Sequence, residues 1–314
     1  MANQEMAAQM SGRSGFIAAL DQSGGSTPEA LRSYGIQDGA YSSEAEMYRL
    51  IHDMRVRIIS SPAFTGEKVI GAILFERTMD SQANGVPVPT FLWEQRGVVP
   101  FLKIDKGLTT EEDGVSLMKP IEGLDPLLER AAASGVYGTK ARSVINRASR
   151  TGIAALVEQQ FEVAAQVCGH GLMPIIEPEV WIKNPDKKGA EAFLLIELTK
   201  QLDGLPAGRK VMLKLTIPDV PDLYRPLTRH NNVMRVVALS GGYGRDEACR
   251  RLAENDGIIA SFSRALSEGL QHGMSDVEFD EVLAHSIGAI YQASTVKRSI
   301  AGEVRLGVAQ GGAV

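Results

Sequence analysis

Eight short apolar runs rich in β-branched residues recur along the 314-residue chain, with stretches of helical periodicity between them. The runs lie near residues 15–21, 69–75, 98–105, 136–142, 172–179, 210–217, 234–240 and 257–263. Between the first two, Met47, Leu50, Ile51, Met54 and Ile58 form an i, i+3, i+4, i+7, i+11 stripe, and that long gap has room for two helices. Further helical stretches run over 124–134, 153–168, 190–202, 245–254 and 277–292. Strand–helix alternation of this kind means a parallel sheet, and eight repeats favour closure into a single (β/α)8 TIM barrel over an open sheet. An open doubly wound sheet would announce a glycine-rich first turn of the GxGxxG type, which is absent. The expected organisation is one barrel domain over 1–298. Residues 299–314 are rich in Gly, Ala and Val without a clear period, and are expected to form a mobile C-terminal tail.

Composition excludes several classes. A formal charge of -5 gives no basic bias, so nucleic acid is not an expected partner. No apolar stretch approaches ~18 residues and the first residues lack the basic-then-apolar order of a signal peptide, so no membrane association is expected. Cys168 and Cys249 stand far apart without a paired-cysteine motif, which points to a reducing cytoplasm and away from disulfides or a zinc–cysteine site.

A barrel of this kind gathers its chemistry at the C-terminal ends of the strands. Those ends carry Asp21, Glu76, Lys103 with Asp105, Lys140 with Arg142, Glu177 with Glu179, Lys214, Ser240, and Ser261 with Arg264. Residues two apart on a strand face the same side, so the pairs point together. Lys214 is the most telling, a lysine inside Val211-Met212-Leu213-Lys214-Leu215-Thr216-Ile217. A buried ammonium must pair or lose its proton, so Lys214 reads either as half of an ion pair or as a neutral nucleophile. A converging set of bases and carboxylates is hard to explain as stability, because buried ion pairs that are not needed are roughly neutral or unfavourable.

The loops after the late strands, Leu239-Ser240-Gly241-Gly242-Tyr243 and Ser261-Phe262-Ser263-Arg264, match the place where such barrels commonly bind phosphate. Glycine permits close backbone approach, and Arg264 can give bidentate contacts. The first strand ends similarly, in Asp21-Gln22-Ser23-Gly24-Gly25-Ser26, whose hydroxyls and amides with Lys103 opposite suit a second anion. Two anion sites flanking a lysine suggest a bisphosphorylated substrate about the length of a sugar.

A lysine amine that attacks a ketone forms a Schiff base, whose protonated form accepts electrons when a carbon–carbon bond breaks. An ordinary lysine with a pKa of ~10.4 is only about 0.04% neutral at pH 7, so the nucleophile needs help. Burial and a neighbouring cation such as Lys140 are suited to supply it. Glu177 and Glu179 are available as proton shuttles, and Asp21 or Asp105 as the base that takes a hydroxyl proton. A metal route fits less well. His52, His170, His230, His272 and His285 fall in or beside helices, none at i, i+4 from another, so no metal and no other cofactor is expected.

These strand ends resemble a class I, Schiff-base-forming fructose-bisphosphate aldolase of the bacterial type. The resemblance runs from about Gly15 to Ser294 and rests on seven stretches in order: 18–26, 101–107, Gly138-Thr139-Lys140-Ala141-Arg142, Pro174-Ile175-Ile176-Glu177-Pro178-Glu179, Met212-Leu213-Lys214, 239–242 and 261–264. It implies Lys214 as the Schiff-base nucleophile, Glu177 as acid/base, Glu179 in contact with Lys214, Asp21 on the C4 hydroxyl and Lys140 close to Lys214. It implies Ser240, Gly241, Gly242 and Arg264 at the C1 phosphate, and Ser23, Ser26, Lys103 and Arg142 at the C6 phosphate. The implied reaction is reversible cleavage of fructose 1,6-bisphosphate to dihydroxyacetone phosphate and glyceraldehyde 3-phosphate, in glycolysis and gluconeogenesis. Ala141 and Ala30 depart from the pattern, standing where a tryptophan of the animal members and a second basic residue are expected. The chain ends Gln310-Gly311-Gly312-Ala313-Val314 where animal members carry a tyrosine, and its last tyrosine is Tyr291. Two rivals remain: another Schiff-base barrel enzyme, such as a transaldolase or an aldolase for a different ketose phosphate, and a phosphate-binding barrel without catalysis. A homo-oligomer is compatible with the sequence, since these motifs do not spell interfaces.

Overall fold

The computed structural model describes residues 2–298, and the tail expected over 299–314 lies outside them. Eight parallel strands form a closed barrel: β1 (Phe16–Leu20), β2 (Val69–Leu74), β3 (Val99–Lys103), β4 (Gly138–Ile145), β5 (Met173–Val180), β6 (Val211–Thr216), β7 (Val233–Leu239) and β8 (Ile258–Phe262). Neighbours follow the order β3-β2-β1-β8-β7-β6-β5-β4, and pairing of β3 with β4 closes the ring. The longer helices are α1 (Ala2–Gly12), α2 (Ser26–Ser33), α3 (Glu44–Ser60), α4 (Leu124–Ala133), α5 (Arg150–Gly169), α6 (Lys187–Asp203), α7 (Arg245–Ala253) and α8 (Asp276–Thr295). The gap between β1 and β2 holds two of them, α2 and α3, as its length predicts.

Strand alternation sorts the apolar residues into two cores. Ile17, Ala19, Phe101, Ile175, Met212, Val237 and Ile259 fill the barrel interior. Ala18, Leu20, Leu102, Ile176, Leu213, Leu215 and Ala260 pack outward against the helices. The interior parity then determines what the top of the barrel presents. Two residues beyond Ala19, Phe101, Ile175 and Met212 stand Asp21, Lys103, Glu177 and Lys214. The same alternation that fills the lower barrel with hydrocarbon thus aims four charges into its upper mouth.

The sequence reading assigns no element before residue 15, and the structure adds one. Helix α1 closes the bottom of the barrel, where Met6 and Met10 join the interior cluster. Gln9 Nε2 donates to the carbonyls of Ile70 (2.8 Å) and Gly97 (2.7 Å), and Arg235 Nε donates to Met10 O (2.9 Å). All three attach at the amino-terminal ends of the strands, opposite the charges. The connection from β2 to β3 is built from short turns and a two-stranded antiparallel ribbon, Gln82–Ala83 with Val86–Pro87, in place of a long helix.

Candidate active site

Lys140 and Lys214 are 2% and 3% exposed and Glu177 is 3% exposed, so pairing and not water must carry their charges. The pairing is tight. One oxygen of Glu177 lies 3.0 Å from Lys214 Nζ and the other 2.8 Å from Lys140 Nζ. Lys140 Nζ also meets Asp21 Oδ2 at 2.8 Å and stands 3.8 Å from Asp105. Asp105 in turn meets Lys103 Nζ at 2.7 Å and accepts from the Arg142 backbone N–H at 3.2 Å. Three ammonium groups and three carboxylates therefore alternate across the mouth.

Burial and charge act in opposite directions on this array. Burial pushes the Asp21 carboxyl up, but Lys140, then Lys214 and Lys103, outweigh it and hold the group well below the ordinary carboxylate range. Glu177 follows the same balance: burial raises it and Asp21 repels it, yet Lys140 and Lys214 keep it lowered and ionised. Burial alone would drive Lys140 towards neutrality, and Asp21, Glu177 and Asp105 instead hold its ammonium well above its usual range.

One expected contact is different. Glu179 was expected against Lys214, but its Oε2 lies 2.5 Å from Arg142 Nε, and Glu177 takes the lysine. Register explains the exchange. Ile176 pairs with Leu213, which sets Glu177 abreast of Lys214 and leaves Glu179 one pleat higher, where it pairs across to Val144. Glu76 does not join the array either. It lies in a partly exposed network with Lys106 and Arg130, because a short helix, Glu76–Met79, turns away directly after β2.

Two loops flank the charges. After β7, Ser240 is buried and its carbonyl accepts from Tyr243 N at 3.0 Å. Gly241 (φ 62°) and Gly242 (φ 118°) follow in backbone conformations that L side chains rarely adopt. A Cβ on Gly241 would lie 2.5 Å from Ile182 Cγ2, and one on Gly242 would lie 3.5 Å from an Arg264 guanidinium nitrogen. The β7 loop therefore presents backbone with an arginine beside it, as an anion site requires. Arg264 bonds to Glu29 of α2 at 3.1 Å. After β1, Ser26 opens α2 and its Oγ exchanges bonds with Ser23, accepting from Ser23 N (3.0 Å) and donating to Ser23 O (2.9 Å). Sequence reasoning assigned no part to Gln22, yet its Nε2 donates to Ser263 Oγ at 2.6 Å and ties the two loops together. It also assigned no part to Arg55, fully buried on the face of the α3 stripe; the signal was a charge four residues after Ile51 and three before Ile58.

Fold and array together define a class: a (β/α)8 barrel with a buried lysine–carboxylate cluster at the carboxyl ends of its strands. A family model described as fructose-bisphosphate aldolase class-I matches residues 3–188. The chain is 53% identical to a Synechocystis sp. protein named fructose-bisphosphate aldolase class 1 over 292 residues, covering 93% of this chain and 97% of that one. It therefore belongs to the class I fructose-bisphosphate aldolase family, metal-independent lyases that cleave fructose 1,6-bisphosphate reversibly through a lysine Schiff base. Among solved structures, fructose-bisphosphate aldolase from Plasmodium falciparum shares the fold with a TM-score of 0.71 at 21% identity, over 95% of this chain and 96% of that one. A Corynebacterium glutamicum protein shares it more distantly, with a TM-score of 0.55 at 15% identity, over 93% and 92% of the two chains.

Proposed function

We propose that Lys214 is the Schiff-base nucleophile and that Glu177 moves the protons for it. The bridge made by Glu177 between Lys140 and Lys214, at 2.8 and 3.0 Å, carries this reading. Glu177 is ionised at rest, so it can take a proton from the Lys214 ammonium as the amine attacks the ketone carbon. The same carboxyl then returns a proton to the carbinolamine hydroxyl, which leaves as water and yields the iminium. Asp21, kept as a carboxylate beside Lys140, takes the C4 hydroxyl proton when the C3–C4 bond breaks. The iminium receives the electron pair of that bond, and glyceraldehyde 3-phosphate departs. Lys140 keeps both carboxylates ionised although they are buried.

In this reading Ser240, Gly241, Gly242 and Arg264 hold the C1 phosphate, with Glu29 giving up Arg264 as the phosphate arrives. Ser23, Ser26, Lys103 and Arg142 hold the C6 phosphate, and Glu179 keeps Arg142 oriented before binding. Residues 1–298 act as one catalytic domain. A cytoplasmic location agrees with glycolytic chemistry and with Cys168 and Cys249 being free. Glu177→Gln tests the proton relay: it keeps the shape and removes the base, and should lower kcat by about 10²- to 10⁴-fold. Full activity in that variant would remove Glu177 from the mechanism.

A further inference from the structure

Arg55 is 1% exposed and lies on the inner face of α3, beside Met54, Ile58 and Ile59. An apolar side chain would satisfy that face at no electrostatic cost, whereas an unpaired buried charge is expensive. Its polar partners among the described residues are all neutral. One terminal nitrogen donates to Thr78 Oγ1 at 2.8 Å; the other donates to the backbone carbonyl of Gln22 and reaches Gln22 Oε1 at 3.5 Å. Its Nε is buried without a partner. A positive charge is thus kept inside the protein with no carboxylate in direct contact; Asp21, on the same loop as Gln22, acts on it only through space.

Its position gives the charge a use. Gln22 stands between Asp21 and Ser23, on the loop read as holding the distal phosphate, and its side chain reaches across to Ser263 beside Arg264. Thr78 belongs to the short helix that follows β2. The guanidinium therefore joins the ends of two neighbouring strands directly behind the Ser23–Ser26 loop.

We propose that Arg55 is a positioning residue for the substrate phosphate held by Ser23, Ser26 and Lys103: it fixes that loop through the Gln22 carbonyl, and its charge, which no directly bonded carboxylate cancels, gives the loop a positive potential from behind. The phosphate would then share the field of Arg55 with Asp21. The proposal rests on the reading of this loop as the C6-phosphate site.

The test compares fructose 1,6-bisphosphate with fructose 1-phosphate, which lacks the distal phosphate, in Arg55→Met and Arg55→Lys. One charge acting across several ångströms of partly screened protein is worth about 10- to 50-fold in affinity. Arg55→Met should therefore raise the KM ratio of bisphosphate to monophosphate by about 10- to 50-fold, with the larger change in KM and not in kcat. Arg55→Lys, which keeps the charge and loses the fork, should recover most of that ratio. Equal losses on both substrates, or no change in the ratio, would overturn the proposal and leave Arg55 a packing residue. Should Arg55→Met fail to fold, Thr78→Val loosens the same tie in a folded protein and should raise the ratio a few-fold; an unchanged ratio there overturns the proposal equally. Lys103→Met separates the two readings. If it changes the ratio and the Arg55 variants do not, only Arg55 is misassigned; if it leaves the ratio unchanged, the phosphate placement fails and takes the proposal with it.

Discussion

Glu177 has two lysines on one carboxylate, and its charge and that of Lys140 depend on each other. Removing Lys140 would leave Asp21 and Glu177 as buried carboxylates that repel one another. Lys140→Met should therefore cost about 3–5 kcal/mol of stability, the usual penalty for breaking a buried pair from one side, and should abolish most of the activity. Urea unfolding measures the first and a coupled aldehyde assay the second; a variant as stable as the parent would contradict the charge balance. The residue types and their strand-end positions were legible in the sequence, because period-two alternation fixes which side chains share a face. Partnership was not. Whether Glu177 or Glu179 meets Lys214 depends on the stagger between β5 and β6, and no local pattern encodes a shift of one pleat between strands 30 residues apart.

At the scale of elements, the strands and the helices around them were legible, since each buries a face whose period shows in the chain. Helix α1 was not, because among its described residues it buries only Met6 and Met10 deeply and carries no sustained apolar stripe. Its contribution is packing at the far end of the barrel from the chemistry. Met10→Ala should lower the unfolding free energy by about 2–5 kcal/mol while the folded enzyme keeps its kcat/KM, as urea titration alongside steady-state kinetics would report. A large fall in kcat/KM with unchanged stability would place α1 in the active site instead. The β7 loop makes the opposite prediction for activity. Gly241→Ala forces a Cβ into left-handed backbone and against Ile182, so it should raise KM for the bisphosphate and cost about 1–3 kcal/mol of stability. Adding Ile182→Ala should relieve the steric part and recover some of that loss. A Gly241→Ala enzyme with the parental KM would show that the loop does not touch substrate.

Across the whole molecule, the ionised array makes acid the direction of weakness. Asp21 and Glu177 have folded pKa values below their ordinary ones of 3.8 and 4.5, so the unfolded chain binds more protons as the pH falls. Their contribution is complete above pH ~5 and is lost as the pH drops through the lower folded values. Lys140 is shifted the other way, above 10.5, so its contribution is present below that value and fades only in strong alkali. The melting temperature should be level across neutral pH and fall below pH ~4, and Lys140→Met should weaken that acid dependence. A parent protein whose melting temperature rises on acidification would contradict the assignment of both carboxylates. The central claim, that Lys214 bonds covalently to substrate, has the most direct test. Borohydride reduction during turnover of fructose 1,6-bisphosphate, followed by peptide mass mapping, should give a stable adduct on the peptide carrying Lys214 and none in Lys214→Ala. Trapping on Lys140 or on any other lysine, or no trapping in an active enzyme, would contradict it.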